Sequence, residues 1–74
     1  LEQALRCFDQ SIQLQPNNIL FRYNKALALV EMGRATQALP VILTAMELPI
    51  LGLDDEIRME NCRALLIELR SKSI

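Results

Sequence analysis

The sequence predicts an all-α protein in which four helices stack as antiparallel hairpins. The main observation is one spacing pattern that occurs twice: a small residue, a bulky apolar residue, a second small residue and a proline. Its two copies are Ala4, Phe8, Ser11 and Pro16, and then Ala38, Ile42, Ala45 and Pro49. The first three members recur after 34 residues and the proline after 33. A period of this length is typical of helical hairpins that bury their apolar faces only against neighbouring hairpins. In addition, no segment shows the alternation that is typical of a strand.

A turn at Pro16 separates the first two predicted helices. Small or apolar residues at helical spacing predict a helix over residues 1–15, which Pro16 ends because its ring cannot continue the helical hydrogen bonding. Asn17 or Asn18 can cap a second helix over residues 19–32. Gly33 is then expected to end this helix in a left-handed conformation.

The third predicted helix spans residues 36–48 and begins with Thr36 as its cap. Pro40 is expected in its first turn, where few intrahelical bonds exist to lose. The link of about three residues after Gly33 forces the second and third helices to run antiparallel.

A fourth helix is predicted to begin at Asp54 or Asp55. It follows an apolar loop over residues 49–54, which we expect to pack against the other helices. Acidic residues at its start suit the positive end of the helix dipole. Its apolar stripe consists of Ile57, Cys62, Leu65, Leu66 and Leu69.

Composition and charge exclude several classes of protein. Apolar residues make up 51% of the chain and charged residues 23%, which is too apolar for intrinsic disorder. The net charge of -1 provides no basic field, so we expect neither a nucleic acid nor a membrane as partner. The longest apolar run, residues 26–30, is far too short to span a membrane.

The chain also lacks the groups that catalysis and metal binding need. Cys7 and Cys62 are its only cysteines and it has no histidine, so neither a disulfide scaffold nor a zinc site is predicted. Both thiols are expected to be reduced and partly buried, which indicates a reducing, cytoplasmic compartment. Without a phosphate-binding loop or a histidine base, we expect no enzyme activity and no cofactor.

Residues 1–50 resemble the tetratricopeptide repeat family. The resemblance rests on the two copies of the pattern and on Tyr23-Asn24, Ala26 and Gly33-Arg34, which fall in the family's register. It implies a short right-handed superhelix divided into three parts. Residues 1–16 are the second helix of an incomplete repeat, 17–50 one complete repeat, and 51–74 a loop and a C-terminal capping helix. Arg22 and Lys25 depart from the family, which usually has large apolar residues there.

The resemblance also implies a binding groove lined by the first helix of each hairpin. Its candidate residues are Leu20, Tyr23, Asn24, Leu27, Val30 and Glu31. Asn24 stands where family members often hold the backbone of a bound peptide; Tyr23 would add a flat amphipathic contact. The alternative is that Asn24 is merely solvated and that the apolar members belong to the core. Some chaperone-binding members of the family hold a terminal carboxylate in a clamp of polar and basic residues. Such a clamp is disfavoured here because it requires polar residues at the positions of Tyr23 and Leu27.

Three functions remain open from the sequence, and the last of them is an accessory domain of a multidomain enzyme or kinase. The first is a protein–protein interaction module that binds a peptide or a neighbouring subunit. The second is a structural segment of a longer array, or a self-associating piece that buries Leu5, Phe8 and Ile12 in a homodimer or against missing N-terminal repeats.

A small basic cluster, Arg22, Lys25 and Arg34, is either a solvated face or forms salt bridges with a neighbouring repeat.

Overall fold

The computed structural model describes residues 2–72 and consists, over that range, of helices and their connections without a strand. The helices are α1 (Glu2–Leu14), α2 (Ile19–Glu31), α3 (Ala35–Met46) and α4 (Leu53–Lys72). The all-α fold is confirmed over the described residues. The end of α1, both ends of α2 and α3, and the start of α4 lie within two residues of their predicted positions. Leu1, the first residue of the predicted first helix, lies outside the described residues.

Asn18 connects α1 to α2. Its side-chain Oδ1 accepts hydrogen bonds from the backbone N–H groups of Leu20 (3.0 Å) and Phe21 (3.4 Å), while its Nδ2 donates to Gln15 Oε1 (3.0 Å). Asn18 rather than Asn17 is therefore the cap of α2, and it satisfies donors that would otherwise lack an intrahelical partner.

Gly33 ends α2 with a φ of 77°. Its N–H donates to the Val30 carbonyl (3.0 Å), and the Arg34 N–H donates to the Leu29 carbonyl (2.8 Å), which is the Schellman pattern of helix termination. The prediction that Thr36 caps α3 is wrong, because α3 begins one residue earlier. The Arg34 carbonyl already accepts from the N–H groups of Gln37 (3.0 Å) and Ala38 (3.2 Å).

Pro40 lies in the second turn of α3 rather than in the first. The helix nevertheless continues to Met46. The carbonyl that loses a partner is that of Thr36, four residues earlier, and Thr36 is exposed to solvent. Thr44 adds a side-chain hydrogen bond from its Oγ1 to the Pro40 carbonyl (2.9 Å).

The core lies where α2, α3 and α4 meet. Consecutive helices pack side by side, and α4 contacts α2 as well as α3. Ala26 of α2 is fully buried, as are Ala38, Ile42 and Ala45 of α3. Small residues on both helices allow the backbones to approach closely, as the repeated pattern predicts.

The apolar stripe of α4 differs from its prediction at one end. Met59 is buried together with Cys62, Leu65, Leu66 and Leu69, whereas Ile57 is 52% exposed. Ile57 precedes Met59 by two residues and is rotated from it by about 200° around the helix, so both cannot face the core.

The loop before α4 is also not tucked in as predicted, since Ile50 and Leu51 are exposed. Leu48 and Met59 already pack in the core at this end. The loop is instead held through its backbone, because the Leu51 N–H donates to Asp55 Oδ2 (3.0 Å).

The two cysteines are free and lie in different environments. Cys62 is buried, and that burial raises the pKa of its thiol, so it stays protonated at neutral pH. Cys7 is exposed, which contradicts the prediction that both thiols are partly buried.

Candidate functional site

The predicted groove residues form one continuous side of α2. We call this the α2 face and define it by the six residues predicted above: Leu20, Tyr23, Asn24, Leu27, Val30 and Glu31. Spacings of three and four residues place them in neighbouring turns on the same side of the helix. The buried residues Ile19, Ala26 and Leu29 lie on the side of α2 that packs into the core.

The α2 face is partly core and partly surface. Tyr23, Leu27 and Val30 are half-buried and pack against the core residues, Leu20 and Asn24 are half-buried, and Glu31 is exposed. The two interpretations of the apolar members therefore overlap: these side chains stabilise the hairpin and still present an accessible edge. Such an edge suits a ligand that lies along the helix.

Three polar groups of the α2 face have no partner among the described residues. The Tyr23 hydroxyl, the Asn24 amide and the Glu31 carboxylate take part in neither a hydrogen bond nor an ion pair there. The hydroxyl and the amide both donate and accept, and the carboxylate accepts. The α2 face thus combines apolar contact with polar groups that are free to bind another molecule.

The first copy of the spacing pattern is less covered than the second. Ala4, Phe8 and Ser11 of α1 are half-buried, whereas Ala38, Ile42 and Ala45 have no exposed surface. Of the predicted self-association residues, Leu5 is buried in the chain's own core, and Phe8 and Ile12 are half-buried. Phe8 and Ile12 are therefore the accessible part of that surface.

The basic cluster is used to attach α2 to α1. Lys25 Nζ lies 2.6 Å from Asp9 Oδ1, and Arg34 Nη1 lies 2.8 Å from Glu2 Oε1. The Arg22 guanidinium donates to the Pro16 carbonyl, at 3.2 Å from Nη2. Lys25 and Arg34 therefore form salt bridges with α1 and are not simply part of a solvated face. Each exposed pair contributes about 0.2–1 kcal/mol to stability.

Metal-binding and membrane-spanning features are both missing from the described part of the chain. Across residues 2–72, histidine, cysteine and carboxylate side chains form no group of three or more that could hold a metal ion. No helix in the same range is both long enough and apolar enough to cross a bilayer.

Comparison with known proteins finds similarity over part of the chain. A family model described as "Tetratricopeptide repeat" matches residues 7–39, from the middle of α1 through α2 and into α3. Residues 7–39 are thus similar to a tetratricopeptide repeat. The Hsp70-Hsp90 organising protein of Plasmodium falciparum (isolate 3D7) is 37% identical over 46 residues, a stretch that makes up 62% of this chain and 8% of that protein. No solved structure matches the chain significantly.

The match to the tetratricopeptide repeat model supports a general role in protein–protein interaction. Repeats of this kind stack into extended surfaces that bind other proteins, and they are typically not catalytic. The α2 face lies entirely within the matched segment.

Proposed function

We propose that the chain is a protein-interaction module that binds a peptide segment or a neighbouring subunit along the α2 face. The observation that carries the proposal is the set of three unpaired polar groups beside half-buried apolar side chains on one side of α2. An extended segment or a helix lying along α2 would contact Leu20 and Leu27 and exchange hydrogen bonds with the Asn24 amide. Tyr23 would supply a rigid contact of the kind enriched at binding hot spots.

The match to the tetratricopeptide repeat model and the similar organising protein support protein partners. That relative is named for Hsp70 and Hsp90, which makes these two chaperones the first partners to test. A carboxylate clamp is not part of the proposal, because Tyr23 and Leu27 are half-buried against the core. A cytoplasmic location and the absence of nucleic-acid and membrane partners stay predictions, as does the division into residues 1–16, 17–50 and 51–74.

Alanine variants of the α2 face test the proposal. We expect Asn24→Ala and Tyr23→Ala each to weaken binding of purified Hsp70 or Hsp90 by about tenfold, because each removes a contact worth about 1–2 kcal/mol. Isothermal titration calorimetry measures the affinities. Asn61→Ala is the matched control, since Asn61 is exposed on α4 and has no partner among the described residues. Unchanged affinity in both α2 variants would remove this face as the site.

Self-association is the second candidate function, and the unequal burial of the two pattern copies favours it. Phe8 is half-buried, whereas Ile42 at the equivalent position is completely buried. A second copy of the chain packing on α1 would cover Phe8 and Ile12 and leave Leu5 in its own core.

Light scattering distinguishes a self-associating chain from a monomer. We expect a dimer at high micromolar concentration and a monomer for Phe8→Glu, because a buried unpaired carboxylate opposes the contact. Circular dichroism checks that this variant keeps its helices. A monomeric parent chain at that concentration would rule out the dimer.

A further inference from the structure

A polar cleft lies on the side of α2 opposite the α2 face. It is an open surface cleft of about 340 Å³ between α1, α2 and α3, and its polar lining consists of Glu2, Arg6, Asp9, Lys25, Arg34 and Gln37. Leu29 and Val41 add apolar walls. Lys25 and Leu29 each differ from Leu27 by two residues, which places them about 160–200° around the helix from the centre of the α2 face. The cleft is therefore separate from the site proposed above.

Two ion pairs lie in this cleft, and the third cation of its lining, Arg6, has no ion-pair partner among the described residues. Glu2 pairs with Arg34, and Asp9 pairs with Lys25. Arg6 follows Glu2 by four residues and precedes Asp9 by three, so it lies between them in the same row of α1. Its guanidinium has neither an ion pair nor a hydrogen bond among the described residues, and the same is true of the Gln37 side chain.

The charges of the cleft indicate which ligand it accepts. Arg6, Lys25 and Arg34 carry three positive charges against the two negative charges of Glu2 and Asp9, which leaves an excess of one positive charge. A guanidinium binds a carboxylate through two parallel hydrogen bonds, and one further carboxylate would balance the cleft. A phosphate dianion fits less well, because Glu2 and Asp9 would repel its second charge.

We infer that this cleft binds one Glu or Asp side chain of a partner protein. Arg6 is the anchor for the carboxylate, the Gln37 amide is a second donor, and the half-buried Val41 contacts the apolar part of the bound segment. The site does not depend on the α2 face, so a partner could occupy both sides of α2 or either one alone.

Titration with paired peptides tests the inference by nuclear magnetic resonance. The probes are the acetylated, amidated peptide Ala-Leu-Glu-Leu-Ala and its counterpart with glutamine at the centre. With millimolar peptide, we expect amide shifts at Arg6 and Gln37. The glutamate peptide should bind about fivefold more tightly, the ratio that one exposed ion pair supplies. That ratio should fall as salt is added.

Three variants test whether Arg6 is the source of this preference for glutamate. Arg6→Gln is expected to bring the ratio of the two affinities to about one. The matched control Arg63→Gln should leave the ratio unchanged, because Arg63 is exposed on α4 and unpaired within the described chain. Asn24→Ala should also leave it unchanged, so the inference and the proposed function can fail independently. Equal binding of the two peptides, no shift at Arg6, or a ratio that survives Arg6→Gln would overturn the inference.

Discussion

Replacing Ile42 with alanine is expected to lower the free energy of unfolding by about 3 kcal/mol. Ile42 is among the largest side chains without any exposed surface, and it occupies the bulky position of the second pattern copy. Truncation removes apolar contacts and leaves a cavity that closely packed helices fill only in part. Chains of this length have a total stability of about 4–11 kcal/mol, so the loss is a large share of it.

Denaturant unfolding followed by circular dichroism measures this effect. We expect a lower midpoint with an unchanged m value, because the surface exposed on unfolding stays similar. Leu43→Ala is the matched control: Leu43 is the next residue and is 40% exposed, so a loss below about 1 kcal/mol is expected. Equal losses in the two variants would contradict the packing described for α3.

Replacing Ala38 with leucine is expected to lower the free energy of unfolding by about 2–3 kcal/mol, because the larger side chain overfills a closely packed site. Ala38 has no exposed surface and is the first small residue of the second pattern copy. The added methyl groups must either push α3 away from its neighbours or adopt strained rotamers. The loss should appear although leucine is itself a good helix former.

The matched control for this enlargement is Ala64→Leu. Ala64 lies in the middle of α4 and is exposed, so the same chemical change should alter stability by no more than about 0.5 kcal/mol. Thermal unfolding of the two variants provides the comparison. A neutral Ala38→Leu would mean that α3 is not closely packed at this position.

Local signals in the sequence were sufficient for most of the fold. Pro16, Asn18 and Gly33 each act within one turn of their own position, so the ends of α1 and α2 could be predicted from the chemistry of single residues. Ala38 and Ala45, the small residues of the second pattern copy, were predicted to form a packing surface. That prediction needs only the repeat period, which can be counted in the sequence without knowing how the helices pack. Thr36 was mispredicted because a good capping residue does not cap where the preceding turn already starts the helix.

The predictions that failed concern competition for burial. Ile57, Ile50 and Leu51 are as apolar as the residues that are buried. Ile50 and Leu51 stay exposed because Leu48 and Met59 already pack in the core at that end, whereas the orientation of α4 leaves Ile57 exposed. Met59 was missed for the same reason. Helical spacing defines possible stripes on α4, but its contacts with α2 and α3 select one of them.

The candidate sites divide in the same way. Helical spacing and the family register placed Tyr23 and Asn24 on one side of α2, but the sequence could not show that their polar groups have no partner within the described structure. The cleft around Arg6 was not predicted. Glu2, Arg6 and Asp9 are close in sequence, but Lys25 and Arg34 belong to another helix and to the following turn.

By itself, the sequence determined the all-α class, the repeat period and the turns that end α1 and α2, because each depends on contacts within a few residues or on one repeated pattern. The tertiary structure decided which apolar side chains are buried, which ion pairs form between helices and that Arg6 has no ion-pair partner among the described residues. Those outcomes depend on distances between helices, and side chains that are distant in the chain meet only after packing has fixed the position of each helix.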